Sequence, residues 1–477
     1  MASRFWVGGT GAWDASDTTH WASSSGGAGG QTVPGASDTV TFDGSSGGGT
    51  VTVNTNFSVV SVTMGAFTGT LDFATNNNSP TMGSFSTTGS GTRTLNMGSG
   101  IWTLTGNAAT ILNMDITTNF TLNSGTCVIN ATYSGSTGTR TFSFPGVAKP
   151  LYDFKVSAGS DTVTTTAHTV QFNDVNFTGF TGTWTPASMT VMGNFTLGTG
   201  MSVTTNSNAT TFSATSAKNI TMNGVQYNIP MTFNGVNGSW TLKSDLNLAG
   251  ATARAITLTN GTIDAADSGS NHNVTCGSVS ASNSNTRSIV MGNGTWELQG
   301  TGTVWTTATT TGLTITPGTS TIKITDSSNT NNTFAGGSTF GNIWWARGAS
   351  TATNTLTGTS TFIDFKDTGS AAHTITFPNV TTTVTTFTVS GSVGNLITLA
   401  RTGGSGTFTL SKSSGTVVRD YLSISNSTAT GGASWYAGAN STDGGGNSGW
   451  IFSVPQPIIS TGGGTSSISN LAALRIG

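Results

Sequence analysis

The chain has 477 residues, of which only 7% are charged, and its formal net charge is −2. The sequence contains no run of Lys or Arg. We therefore expect no nucleic-acid binding, because such binding depends on clustered cations that neutralise phosphates. Apolar residues make up 34% of the chain and lie in period-two runs, which indicates folded β-strands instead of disorder or a helical layer.

Residues 1–50 form the first predicted segment, an N-terminal cap or attachment module. It contains Trp6, Trp13 and Trp21, followed by Asp38 and Phe42. A stack of β-strands has an open end with exposed core and unpaired backbone groups, and an aromatic plug would cover both. The alternative is a platform on which the faces of sugar rings stack.

These residues also carry a resemblance. The order Trp6-x-Gly8-Gly9-x-Gly11-x-Trp13, Trp21, Pro34 and Asp38-x-Val40-x-Phe42-Asp43 resembles the opening module of large β-helical surface and virion proteins. Such modules occur in bacterial extracellular β-repeat proteins and in tail-fibre and structural proteins of tailed bacteriophages. The bacterial relatives usually carry a signal peptide, and the first residues here lack the apolar core of one. The resemblance therefore implies a β-helical protein on the phage side.

Residues 51–419 are predicted to form a β-repeat body of short strands separated by Gly, Asn and Ser turns. The motif Gly-x-Trp-x-Leu occurs three times. Its predicted core positions are Trp102 and Leu104, Trp240 and Leu242, and Trp296 and Leu298. Small units that cannot bury an apolar face alone do so by stacking. We therefore expect an all-β, elongated β-solenoid or β-helix-like stack, with serial β-sandwich modules as the alternative. Rungs of roughly 20–25 residues, about 4.8 Å apart, would give a rod on the order of 80–100 Å long.

Residues 420–452 are predicted to close the stack through Trp435, Tyr436 and Trp450, and this segment resembles the closing segment of the same β-repeat proteins. Residues 453–477 follow as a flexible tail or a docking peptide for a neighbouring subunit. Within that tail, residues 469–476 are the one stretch that could form a short helix. No stretch reaches the ~18 apolar residues of a membrane span, so no membrane insertion is expected.

The chain offers few groups for chemistry. Its one glutamate is Glu297, and its closest carboxylate pairs are Asp14/Asp17, Asp264/Asp267 and Asp364/Asp367. An odd separation along a strand sends two side chains to opposite faces, so these pairs favour turn capping over acid–base catalysis. The histidines His20, His168, His272 and His373 are far apart and have no metal-binding spacing. We expect no catalytic residue, metal or cofactor, and we expect Cys127 and Cys276 to be small buried side chains.

Together with these features, the resemblance over residues 6–43 implies a non-enzymatic structural component of a phage virion: a fibre, spike or surface projection made in the host cytoplasm. The expected partners are other virion subunits, further copies of the chain (a trimer is one arrangement), and a cell-surface glycan. Glycan binding would be weak and multivalent, through exposed Trp, Tyr and Asn side chains. The alternatives are a bacterial surface adhesin or extracellular filament subunit, located at the cell surface, and a glycan depolymerase.

Overall fold

The protein is a parallel β-solenoid of about 17 turns, with 46% of its residues in strands and 1% in helices. The computed structural model describes residues 1–115, 118–145, 150–167, 169–250 and 252–455. The predicted all-β solenoid is therefore confirmed. His168 and the predicted tail beyond residue 455, including the short helix over 469–476, lie outside the described residues.

The strands are short and follow one another along the whole chain. In the first third they are β1 Ser3–Trp6, β2 Gly11–Trp13, β3 Trp21–Ala22, β4 Thr39–Phe42, β5 Thr50–Val53, β6 Ser58–Met64, β7 Thr70–Asp72, β8 Thr81–Ser86, β9 Arg93–Asn96, β10 Ile101–Leu104, β11 Thr110–Asn113, β12 Phe120–Asn123, β13 Val128–Ala131, β14 Thr139–Phe144, β15 Asp153–Val156 and β16 Thr162–Ala167. The middle third contains β17 Val170–Phe172, β18 Val175–Asn176, β19 Thr183–Thr185, β20 Met189–Val191, β21 Phe195–Thr196, β22 Ser202–Val203, β23 Thr210–Phe212, β24 Ala217–Thr221, β25 Met231–Leu242, β26 Leu246–Asn247, β27 Ala255–Asp264, β28 Val274–Cys276, β29 Ser278–Ser280, β30 Arg287–Val290, β31 Thr295–Leu298 and β32 Gly302–Thr306. The last third contains β33 Leu313–Thr316, β34 Thr321–Ile324, β35 Asn332–Ala335, β36 Asn342–Trp345, β37 Asn354–Thr357, β38 Thr361–Asp367, β39 His373–Phe377, β40 Thr381–Thr388, β41 Ile397–Arg401, β42 Phe408–Ser411, β43 Thr416–Val418, β44 Leu422–Ile424, β45 Ser427–Thr430, β46 Ser434–Tyr436, β47 Thr442–Asp443 and β48 Trp450–Ile451.

One 3-10 turn, Asp267–Gly269, is the helical element of the described residues. Within that part of the chain, no helix has the length and apolar character needed to cross a membrane.

Apart from β3, which pairs antiparallel with β1, the strands pair in parallel with strands of the neighbouring turns. Ile129 on β13, for example, lies between Trp102 on β10 and Phe154 on β15. Parallel neighbours need a long crossover between them, whereas sandwiches are built from antiparallel strands. The alternative of serial β-sandwiches is therefore wrong.

The length of a turn varies more widely than predicted. The hydroxyls of Thr183 and Ser202 meet on neighbouring turns and are 19 residues apart in the chain. By contrast, the hydroxyl of Thr307 donates to the carbonyl of Gly336, 29 residues later. At about 4.8 Å per turn, the stack of about 17 turns is a rod roughly 80 Å long. The extra residues of the longer turns lie in the connections between strands.

Alternation along the strands fills the interior with apolar side chains. The three copies of the repeated motif point inwards, and Trp102, Leu104, Trp240, Leu242, Trp296 and Leu298 are all fully buried. Aromatic rings stack between neighbouring turns, with ring centroids 5.7 Å apart for Phe365 and Phe387 and 5.0 Å apart for Phe377 and Phe408. All six predicted core positions therefore lie in the interior.

The glycine that opens each copy of the motif is required by close packing between turns. A Cβ atom at these positions would collide with a carbonyl oxygen of the preceding turn, at Asn78 for Gly100, at Ala214 for Gly238 and at His272 for Gly294. The three glycines have ordinary backbone angles, so the reason is space between turns and not conformational freedom.

Arginine side chains that enter the interior are held there by charge-assisted hydrogen bonds. Nε and Nη2 of Arg140 donate to the two carboxylate oxygens of Asp161 at 2.6 and 2.8 Å, and neither side chain is more than 1% exposed. Arg287 instead donates to main-chain carbonyls of Ala281, Asn285, Thr309 and Thr311. Because a buried charge is costly without such partners, these arginines fix the loops that supply them.

Candidate functional site

The N-terminal tryptophans form a closed cap. Strand β3 pairs antiparallel with β1 and sets Trp6 opposite Trp21, the one antiparallel pairing between strands in the described residues. The Trp6 and Trp21 rings meet edge to face, 5.2 Å apart, and Trp13 stacks on Phe57 at 3.9 Å. All three tryptophans are fully buried, so the alternative of an exposed sugar platform is wrong.

Asp38 and Phe42 support the same cap. The Asp38 carboxylate accepts hydrogen bonds from the amides of Gly35 at 3.1 Å and Ala2 at 3.0 Å. These bonds hold the pKa of the carboxyl below its usual range, and the bond from Gly35 has the larger effect. The Phe42 ring lies 6.0 Å from Trp6. Strand β2 pairs with β5, and β4 with β6, so the cap continues directly into the body. The segment boundary at residue 50 stays a prediction.

The predicted closing segment contributes two aromatic side chains to the interior at the other end. Trp435 and Trp450 occupy paired positions of β46 and β48, with ring centroids 5.2 Å apart, and Trp435 also contacts Phe387 of the body at 5.8 Å. Tyr436 lies on the outer face and is partly exposed. The segment's boundaries remain a prediction.

The first two predicted carboxylate pairs serve turns or surface contacts. Oδ1 of Asp14 accepts the amide of Asp17 at 2.6 Å, which is a local turn. Asp264 accepts the amide of Ala266, whereas Asp267 pairs with Lys243. The hydrogen bond from Lys243 is the main reason that the pKa of Asp267 lies below its usual range. Neither pair has two carboxylates free to act on a substrate.

The third pair diverges, with Asp364 on the outer face and Asp367 inside. Asp367 Oδ2 lies 3.1 Å from Nε2 of His373, and their side chains are 1% and 3% exposed. Burial alone would lower the pKa of His373, but the hydrogen bond and charge of Asp367 outweigh it and raise that pKa above 6.5. A second buried pair, Arg347 and Asp326, is 2.9 Å long. Arg347, Asp367 and His373 line a void too small to admit a ligand.

The structure also brings together two carboxylates that the sequence analysis did not connect. Asp153 and Asp174 lie one turn apart, and Oδ1 of Asp153 accepts the amide of Asp174 at 3.0 Å. Burial raises the pKa of Asp153, and the charge of Asp174 acts in the same direction. Asp174 in turn accepts the amide of Asn194 at 2.6 Å. Both carboxylates thus accept hydrogen bonds from the backbone of the following turn. Because the two aspartates are far apart in the chain, no short motif in the sequence indicated that they would meet.

Glu297 lies on the outer face and begins a row of side chains that we name the Trp344 stripe: Glu297, Lys323, Trp344 and Lys366. They occupy paired positions on the neighbouring strands β31, β34, β36 and β38. Glu297 lies 3.7 Å from Lys323, whose ammonium is 5.0 Å from the centre of the Trp344 ring, and the ammonium of Lys366 is 4.2 Å from it.

Trp344 is the one tryptophan that reaches the surface. All twelve tryptophans lie in the described residues, and the other eleven are buried. The expectation of a surface rich in exposed tryptophan is therefore wrong, because the solenoid places the other eleven tryptophan rings in its interior. The signal for the exception was the doublet Trp344-Trp345, since strand alternation sends one of two adjacent side chains outwards.

An open groove of about 370 Å³ adjoins the stripe at a corner between turns. It is lined by Thr252, Ala253, Ala255, Gly277, Ser278, Gln299, Gly300 and Thr301. Gln299 Nε2 donates to Oε1 of Glu297 at 3.0 Å, which joins the groove to the stripe. The two together form a polar surface with one aromatic ring.

Metal-ligating and nucleophilic side chains are scattered. Among the described residues, no three His, Cys, Asp or Glu side chains are placed to hold a metal ion. Cys127 and Cys276 are buried and unpaired, as expected, and burial raises the pKa of the Cys276 thiol to about 12. Neither thiol is therefore set up as a nucleophile.

No protein-family model, curated protein or solved structure matches the chain.

Proposed function

We propose that the chain is a non-enzymatic structural component of a tailed-phage virion, a fibre, spike or surface projection that also contacts the host surface. The observation that carries this proposal is the continuous parallel solenoid, closed at its N-terminal end by buried tryptophans. A stack filled with interlocked rings resists bending and holds its two ends a fixed distance apart. The resemblance over residues 6–43 supports a place in a virus particle.

Contact with further copies of the chain is part of this proposal. Val418, Tyr436 and Ile451 occupy paired outward positions on β43, β46 and β48, near the C-terminal end of the stack. Val418 is 47% exposed and Ile451 is 38% exposed. A row of apolar side chains on an otherwise polar surface favours a subunit contact.

No catalytic step is assigned, because the carboxylates that the structure brings together are engaged by backbone amides or buried cations. Incubation with host capsular or lipopolysaccharide glycans should give binding without shortening of the polymer. New reducing ends that disappear in an Asp153→Asn or Glu297→Gln variant would instead establish a glycan depolymerase.

Immunogold electron microscopy tests the placement. Antibodies raised against the purified chain should label an external projection of tailed particles released from infected cells. Particles without label, together with label on the envelope of uninfected bacteria, would replace the proposal with a bacterial surface adhesin or filament subunit.

A further inference from the structure

The Trp344 stripe offers one side chain per turn along a straight line. Glu297, Lys323, Trp344 and Lys366 stand on four successive strands of one sheet. Neighbouring strands are about 4.8 Å apart, which is close to the length of one residue in an extended polysaccharide. A linear glycan lying along the rod would therefore meet one of these side chains with each successive sugar.

The charges along the stripe are not balanced. Glu297 pairs with Lys323. Asp364, beside Lys366 on β38, accepts a hydrogen bond from Thr388 at 3.0 Å. It also lies near Arg419: burial lowers the pKa of Arg419, and the charge of Asp364 acts against that lowering. Within the described residues, Lys366 has no carboxylate at ion-pair distance and instead lies against the indole ring. This ammonium is available to a carboxylate from outside.

Trp344 supplies the second element of recognition. Its Nε1 donates to Oγ1 of Thr368 at 2.8 Å, which fixes the direction of the ring at the surface. An exposed cation–π contact contributes only about 0.5–1 kcal/mol, and lysine stems are flexible. An incoming acidic sugar can therefore draw Lys366 aside onto its carboxylate and place its own apolar face on the indole.

We propose that the Trp344 stripe and the adjoining groove bind a linear polysaccharide that carries carboxylates. Lys366 would bind a sugar carboxylate, Trp344 would stack on a sugar ring, and Glu297 with Gln299 would accept and donate hydrogen bonds to hydroxyls at the groove. This inference rests on the proposed host-attachment role and names the chemical class of the glycan.

The proposal is tested by measuring, with calorimetry, how tightly the full chain binds two polymers. One is polygalacturonate, and the other is fully methyl-esterified polygalacturonate, which has the same backbone without charge. The charged polymer should bind more tightly, and added salt should weaken it. Lys366→Met should weaken binding of the charged polymer about fivefold and leave the neutral polymer unchanged. Trp344→Leu should weaken both polymers about tenfold. Lys366→Arg should retain most of the affinity.

Lys155→Met is the matched control, because Lys155 is a partly exposed strand lysine on β15, away from the stripe. It should bind like the unaltered chain, and all variants should keep the same melting temperature. Equal binding of the two polymers, absence of binding, or equal effects of Lys366→Met and Lys155→Met would overturn the inference. None of these binding results affects the immunogold experiment, which tests where the chain is located. The proposed function and the proposed glycan site can therefore be refuted independently.

Discussion

Removing the charge of Asp161 should destabilise the turns that hold Arg140. The two side chains form a bidentate pair that is almost wholly buried. Asp161→Asn keeps the shape but leaves the guanidinium without a counter-charge, which costs about 3–5 kcal/mol in buried pairs. The double variant Arg140→Met/Asp161→Leu removes both charges and should cost far less than either single change, because no charge is left unpaired.

Hydrogen exchange is the suitable measurement, because neighbouring turns of a solenoid can open separately. Amides of β14, β16 and β19 should exchange about two to four orders of magnitude faster in Asp161→Asn, at about 1.4 kcal/mol per tenfold. Asp267→Asn, which breaks the exposed pair with Lys243, should leave protection nearly unchanged since water already screens that pair. A double variant as unprotected as the single one would refute the reasoning.

Deletion of residues 1–45 should uncover the first turn of the body and produce aggregates in sedimentation; a monodisperse product with an unchanged melting temperature would refute the capping role of this segment. Because the folded pKa of His373 is raised, its ion pair contributes fully below about pH 6.5 and is lost as the pH rises through that raised value. Melting temperatures should therefore fall across this window in the unaltered chain and much less in Asp367→Asn; parallel curves would contradict this. Gly294→Ala should cost about 2 kcal/mol in thermal unfolding because its Cβ would strike the preceding turn, whereas Gly35→Ala, with open space around it, should be neutral; equal effects would show that the turns can separate.

Features that depend on neighbours along the chain were predictable from the sequence. Alternation placed Trp102 and Leu104 on one face of a strand, and the structure buries both. Repetition without linkers then predicted stacking. The presence of an aromatic cap was also predictable, because Trp6, Trp13 and Trp21 cluster at one end of a stack that would otherwise be open.

Features that depend on neighbours across turns were not predictable. The register between turns follows from the lengths of the connections, which differ from one turn to the next. The step along the chain from Glu297 to Lys323 is longer than the step from Lys323 to Trp344, although each step crosses to the neighbouring strand. No fixed spacing in the sequence marks such a row. The same irregular spacing concealed the contact between Asp153 and Asp174.

The parallel ladders decide how the rod responds to mechanical load. Their hydrogen bonds run along its long axis, so a pull on the two ends acts along these bonds and is shared by every ladder between two turns. One of the shorter turns, such as the one that leads from Thr183 to Ser202, occupies about 4.8 Å of the rod but spans roughly 60 Å once extended. The molecule therefore keeps its length under small forces. Above a threshold it lengthens by one detached turn at a time, while the rest of the stack stays folded and the covalent link between its ends is preserved.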